Sequence, residues 1–427
     1  MNRKRYSQVN KRDTLLKEGL DMYFKEIENF TAFTELSQRC YPGMALDTKE
    51  EKDRYMKHRE KMAQEHTIRH IGLYDEENLI GAFIEYDHQM NVHGASVQAA
   101  GIGTVAVDLP YKKQGHAKRI VKQFLQDARK NGCVIAHLYP FQPTFYKKMG
   151  FGLGSSLATY QFRPVQLPIF EGALPVETLN SADIIEVRNC YQKWAGRTHG
   201  ATDIEEYGFS FLERENLHTF GVRKEGDLEG YVTCEFKGGK HFLENDLYIK
   251  NFFYTSREAY QALIQFLHNQ KDQVRTIHFP TFDKDFSYLL NDPVHTDENL
   301  IFGIYHKTSV QGKGLMYRVL DMDGFIEKTN PNRFGEETVR VGWKVADTLL
   351  EETYDRVWQF TKGEASLTDD PAEVTVTIDI GNFSSLMMGC VTLESLLNSG
   401  SASVEGEEEK VLNLFQGLQT PQCWTFF

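Results

Sequence analysis

At 427 residues the chain is long enough for about three domains and a sizeable buried core. Its 48 Lys+Arg against 60 Asp+Glu leave a formal net charge of -12, which argues against a field-driven grip on nucleic acid or on an anionic membrane. Hydrophobic residues at 41% and charged residues at 25% exclude a largely disordered polypeptide.

The opening segment, residues 1–22, is basic but has no apolar stretch of a secretory signal, and no later window approaches about 18 uncharged apolar residues. Neither export nor membrane insertion is expected. A second possible translation start is Met22, because Lys17-Glu18-Gly19 would be encoded by a purine-rich run resembling a ribosome-binding site. The six cysteines (Cys40, Cys133, Cys190, Cys234, Cys390, Cys423) lie far apart with no C-x-x-C, so reduced thiols in a cytoplasmic protein are expected.

From His70 to Val107 the pattern is strand and turn: HIGLY, the polar break DEEN, LIGAFIEY, a break near His93-Gly94, then GTVAV. This reads as an antiparallel meander. Ala117, Ile120, Val121, Phe124, Leu125 and Ala128 then fall at helical spacing, Gly132 stops the helix, and CVIAHL (133–138) suits a buried strand. The order predicts a mixed α/β sheet. A second copy is expected downstream, where FGVRKEGDLEGYVTCEF (220–236) and NDLYIKNFFYTSREAYQALIQFL (245–267) echo the meander, loop and helix. Its loop Tyr254–Ala259 has no glycine, which predicts a degenerate, ligand-free duplicate. A third, α+β region is expected to open with GLMYRVLDMDGFIEK (314–328), run through VRVGWKV, RVWQFTKG, ASLT and VTVTIDI, and end in the helical pair FSSLMMG and TLESLLNSG. The run EGEEEK (405–410) reads as a solvated turn or helix start. The expected division is 1–165, 166–308 and 309–427.

The segment with chemistry in it is GTVAVDLPYKKQGHAKRIV, a strand feeding Lys112-Lys113-Gln114-Gly115-His116-Ala117 and then a helix. Gly115 and Ala117 are small where bulk would hold a ligand away, the helix start offers unpaired N–H groups, and Lys112 and Lys113 add positive charge. That combination suits a pyrophosphate. His116 and His137 resemble bases, but each is expected to be a loop or core histidine. No HExxH, Cys/His cluster or carboxylate pair points to a metal.

Together with CVIAHL and PFQPTFYKKMGFG (140–152), this stretch resembles the GCN5-related N-acetyltransferases (GNAT). The resemblance implies acetyl-CoA as cosubstrate, with its pyrophosphate on the main chain of Lys112 to Ala117; Lys112 stands where the family usually has Arg or Gln. It also implies pantetheine between the fourth and fifth strands, along Val105, Ala106 and Val107, and Tyr146 as the acid that protonates the departing thiolate. A tyrosine packed against the sheet is the structural alternative.

The full layout, one active acetyltransferase domain, one degenerate copy and a C-terminal α+β domain, resembles the Eis (enhanced intracellular survival) family. That resemblance implies a sterol-carrier-like third domain, a hexamer, a primary amine on a polycationic acceptor, and the carboxylate of the last residue, here Phe427, as general base. Glu85 is the reserve base. The ending Trp424-Thr425-Phe426-Phe427 suits a docked tail. A non-catalytic lipid carrier with a vestigial coenzyme A site is the alternative, with MMGCV and LESLL as pocket linings.

Overall fold

The computed structural model describes residues 22–44, 46–204, 206–239, 244–329 and 333–427, so the question of a start at Met22 lies outside the described residues. In chain order the elements are β1 (Met22–Glu26), α1 (Phe30–Cys40), α2 (Lys49–Met62), β2 (Ile68–Asp75), β3 (Asn78–Val92), β4 (Ala95–Val107), α3 (His116–Lys130), β5 (Ile135–Leu138), α4 (Pro143–Lys147), β6 (Gly152–Leu153) and β7 (Ser156–Phe162). There follow β8 (Val176–Leu179), α5 (Ile184–Ala195), β9 (His218–Lys224), β10 (Asp227–Gly238), β11 (Asn245–Tyr254), α6 (Arg257–Asn269), β12 (Val274–Thr281), β13 (Leu300–Phe302), β14 (Tyr305–His306), β15 (Ser309–Lys313) and β16 (Met316–Val319). The last part holds α7 (Met322–Thr329), β17 (Val339–Asp347), β18 (Glu352–Thr361), β19 (Glu364–Thr368), β20 (Val374–Asp379), α8 (Ile380–Met387), α9 (Leu393–Asn398), β21 (Ala402–Glu405) and α10 (Glu408–Leu414). The described residues divide into two compact units, one within 22–84 and 104–120 and the other within 85–103 and 121–427.

In the smaller unit, β1 pairs antiparallel with β2 from Met22↔Asp75 to Glu26↔Ile71. Asn29 caps α1 by accepting from the Ala32 N–H, and Thr48 with Glu51 forms a capping box that starts α2. The two helices meet through the stacked rings of Phe33 and Tyr55. His70 on β2 is wedged edge-on between Phe30 and Phe33, and this burial pushes its pKa down to about 4.

The larger unit contains three sheets and a two-stranded hairpin. In the first sheet, β4 runs parallel to β5 over Ala99↔Ile135, Ala100↔Ala136 and Gly101↔His137. Beyond β5 come β16 and then β6, with β5 and β6 both antiparallel to β16. The second sheet has the order β15-β7-β12-β11-β10-β9-β8, and the third has the order β19-β18-β17-β20-β21. The apolar stripe read for α3 is buried, with Val121, Phe124, Leu125 and Ala128 all at 0% exposure.

Sheet membership crosses both boundaries expected from the sequence. The strand β7 lies before residue 165 yet pairs with β12 and β15 in the second sheet, whereas GLMYRV, read as the opening of the third region, supplies β16 to the first. An apolar run declares itself a strand but carries no mark of its partner. Arg318 on β16 is buried at 1% exposure, donates to the Met149 carbonyl and pairs with Asp347. Its guanidinium fills the space beside Gly150, whose φ of +76° also favours glycine.

The third sheet packs Trp343, Trp358 and Phe383 against one another at centroid distances of 5.3 to 5.9 Å. The segments suggested as lipid-pocket linings supply Met387, Met388, Leu393 and Leu396 to this buried core. Glu405, Glu407, Glu408 and Glu409 are exposed at the β21–α10 junction, as the sequence suggested.

Candidate active site

The loop expected to hold a pyrophosphate, Lys112–Ala117, lies in the smaller unit. A short 3-10 turn, Leu109–Tyr111, is capped by Asp108, whose carboxylate is held by Arg39 at 2.8 Å and 3.0 Å. The chain then turns through two left-handed residues, Lys113 (φ +67°) and Gly115 (φ +88°), before α3 begins at His116. Left-handed residues tip successive N–H groups to one side, which is how a backbone concavity for an anion is made. Gln114 is turned away to donate to the Pro110 carbonyl at 3.0 Å. A Cβ on Gly115 would meet nothing within 4 Å, so glycine is required there for its conformation and leaves open space above the loop. Lys112, Lys113, Gln114 and Gly115 are exposed and Ala117 is half-buried.

His116 opens the helix with its ring buried beside Tyr111, and burial lowers its pKa. The strand residues Val105, Ala106 and Val107 precede the loop. Two of their carbonyls are engaged within the smaller unit, Val105 by the Tyr41 hydroxyl at 2.6 Å and Val107 by the Cys40 thiol at 3.2 Å. Tyr41 and Cys40 were missed by sequence reasoning, because a side chain reaching a main-chain carbonyl more than 60 residues away leaves no periodic or motif signal.

In the larger unit, Tyr146 stands in the short helix α4, started by Pro143 and ended by Gly150. Its ring is 3% exposed among Phe141, Phe145 and Phe151. Its hydroxyl makes no hydrogen bond with a described residue, and burial pushes the phenol pKa well above its usual range.

The parallel β4–β5 ladder stops after Gly101↔His137, and Phe427 sits at that point. A Cβ on Gly101 would come within 3.0 Å of the Phe427 ring, and one on Gly103 within 3.2 Å of its main-chain carbonyl carbon. The ring packs among Tyr86, His88, His137 and Tyr139 at 4.7 to 5.6 Å. Behind it His88 Nδ1 and His137 Nε2 share a hydrogen bond of 2.9 Å. Burial pushes His88 down to about 4 and holds His137 well below the usual histidine range. His137 is therefore a neutral core histidine, as expected. Glu85, two strand positions from Asp87, is 2% exposed.

The tail leading to Phe427 is fastened residue by residue. Ser155 donates to the Pro421 carbonyl at 2.7 Å, the Gln422 N–H to the His199 carbonyl at 2.7 Å, and Thr425 shares a 2.6 Å hydroxyl contact with Thr202. Cys423 is buried, and Trp424 packs edge-on against Phe282. The rings around Tyr146, those of Phe141, Phe145 and Phe151, are not those that pack on Phe427.

A model of the acetyltransferase (GNAT) domain matches residues 25–154, and a second GNAT domain model matches residues 194–319. The chain carries two GNAT acetyltransferase domains. An uncharacterized N-acetyltransferase of Streptomyces avermitilis is 32% identical over 92 residues, which is 21% of this chain and 22% of that relative's length. Among solved structures, a GCN5-related N-acetyltransferase from Anabaena variabilis superposes with TM-score 0.78 and 19% identity over 95% of this chain and 100% of that one. Eis1 from Mycobacterium abscessus has TM-score 0.75 and 19% identity, again over 95% and 100%. The fold is thus similar to theirs.

In the second GNAT domain, the glycine-free loop Tyr254–Ala259 is capped from within, since Ser256 accepts from the Ala259 N–H. It borders a cavity of about 500 Å³ that also presents Arg197 and Arg257. Among the described residues no group of three His, Cys, Asp or Glu is placed to hold a metal, and no helix is long and apolar enough to cross a membrane.

Proposed function

We propose that this protein is a cytoplasmic, acetyl-CoA-dependent N-acetyltransferase of the Eis type that acts on a primary amine. The observation that carries the reading is the sequence of glycine-opened loop and helix start at Lys112–Ala117 within the first GNAT domain. On this reading the exposed N–H groups of the loop, with Lys112 and Lys113, hold the pyrophosphate, and the strand Val105–Val107 lies along the pantetheine.

In the reaction the amine nitrogen bonds to the acetyl carbon and the carbon–sulfur bond breaks. One proton leaves the nitrogen for a base, and the departing thiolate receives one from an acid. We assign the acid to Tyr146, whose free hydroxyl and buried ring keep the proton on at neutral pH. We assign the base to the carboxylate of Phe427, supported by the fastened tail and by the approach of its carbonyl carbon to Gly103.

The carrier alternative is weakened by the packed indoles of the third sheet and by the core positions of Met387 and Leu396. Self-association into the family's hexamer belongs to the same proposal. Its support is the hairpin β13–β14, where Ile301, Phe302, Ile304 and Tyr305 are 70% exposed or more.

The deciding experiment is thiol release from acetyl-CoA by untagged protein across a panel of amines. Release with any of them upholds the reaction class. Thermal stabilisation by fatty acids or sterols, but not by acetyl-CoA, would instead favour the carrier.

A further inference from the structure

The cavity of about 500 Å³ beside the glycine-free loop of the second GNAT domain has the size of a small-molecule site. In a chain of net charge -12, none of its described lining residues is a carboxylate. Arg197 and Arg257, both exposed, form no ion pair with a described residue; Arg197 only donates to the Thr255 carbonyl at 3.3 Å. Glu258, next to Arg257 in the chain, is taken by Lys224 at 3.0 Å. Asp283 acts electrostatically on Tyr254 and Tyr260 but does not line the cavity. Two guanidinium forks without a carboxylate between them suit phosphate oxygens, which they can hold by paired hydrogen bonds.

The main chain contributes little here. Ser256 already accepts from the Ala259 N–H, and the loop has no glycine to bring backbone close to a ligand. Cationic side chains stand in place of a backbone cradle.

The rest of the wall is largely aromatic. Tyr254 is 39% exposed with its ring 4.8 Å from that of Tyr260, and Trp194 is half-buried, packed on Phe253 at 4.6 Å. Partly open rings beside guanidinium groups match the two halves of a nucleotide, whose base stacks on a π-face while its phosphates meet the cations. Gln422 brings the C-terminal tail to the same wall, with its N–H held by the His199 carbonyl at 2.7 Å. A ligand in the cavity therefore touches the segment that leads to Phe427.

We propose that this cavity binds a nucleoside phosphate and that the bound ligand fastens the C-terminal tail. The site shares no residue with the loop at 112–117, and the second GNAT domain, expected from its sequence to be ligand-free, becomes a binding module in its own right.

The test is calorimetric titration of the full-length protein with ADP, adenosine and inorganic pyrophosphate. ADP is expected to bind with a Kd below about 100 µM, at least tenfold more tightly than either adenosine or pyrophosphate. Arg197→Ala and Arg257→Ala should each raise that Kd about tenfold, while the unfolding temperature and the KM for acetyl-CoA stay near their wild-type values. Titration of Gly115→Val removes any share taken by the first loop, and ADP should bind it as it binds wild type. No ADP binding, or binding lost in Gly115→Val but kept in both arginine variants, overturns the site. Pyrophosphate as tight as ADP overturns a nucleoside ligand. For the tail, ADP should slow amide exchange at residues 422–424 several-fold in wild type and not in Arg257→Ala; exchange indifferent to ADP overturns the fastening. None of these readings needs turnover, so a failure of acetyl transfer leaves them decisive.

Discussion

Tyr146 and the Phe427 carboxylate are assigned opposite duties towards protons, and their surroundings differ accordingly. A phenol buried among Phe141, Phe145 and Phe151 stays protonated past its ordinary value of 10, so no loss of the acid is expected between pH 6 and 9. A terminal carboxylate has an ordinary pKa near 3.5 and is ionised over the same range. The pH dependence of kcat/KM should therefore rise with deprotonation of the acceptor amine and shift with that amine's own pKa when different amines are compared. Tyr146→Phe is expected to lower kcat by about 10²-fold while the acetyl-CoA Kd changes less than about twofold. Residues added after Phe427 should lower kcat at least tenfold in the same way; a C-terminal tag that leaves turnover intact would remove the carboxylate from the mechanism.

Among the elements, the loop before α3 makes the clearest case for reading local structure from sequence. Its glycine, small residue and lysines lie within six positions, and the helix start read after them is present, while the left-handed conformation of Lys113 and Gly115 came only with the structure. Gly115→Val is expected to raise the acetyl-CoA Kd at least tenfold, measured by calorimetry. The strained φ of +88° should cost about 1 kcal/mol of stability as well. The hold of Tyr41 and Cys40 on the adjoining strand was not legible, since neither residue belongs to a pattern. Nor was the route of the tail: the aromatic ending suggested docking, but the hydrogen bonds that fix it come from Ser155, His199 and Thr202, residues with no sequence feature to mark them.

For the whole molecule, the buried histidines set an acid limit. His88 and His199 have pKa values near 4 in the fold, against about 6.5 when unfolded, because burial disfavours the charged ring. The unfolded chain thus binds more protons between those values, so stability is intact above about pH 6.5 and falls as pH drops towards 4. Each such histidine should cost roughly 2 kcal/mol at pH 5, measurable as a lower guanidinium midpoint than at pH 7.5. The strands of the first meander, of its echo and most of those in the third sheet were legible, whereas β7, β12 and the placing of β16 in the first sheet were not, because pairing partners are chosen in three dimensions. Residues 1–165 expressed alone lack β16, which leaves β5 without its neighbour on one side and β7 without β12. That fragment is expected to aggregate or to show little amide-exchange protection in β5.

The exchanged strand also bears on birth at the ribosome. The first sheet waits for β16, which is synthesised only after the whole second meander and its helix have emerged. At about 5–20 residues per second that interval is roughly ten to forty seconds. During it the hydrogen-bonding edge of β5 faces the cell without its partner, which makes this nascent chain a natural client for chaperones that shield strand edges, and makes slow codons before β16 a hazard to its yield.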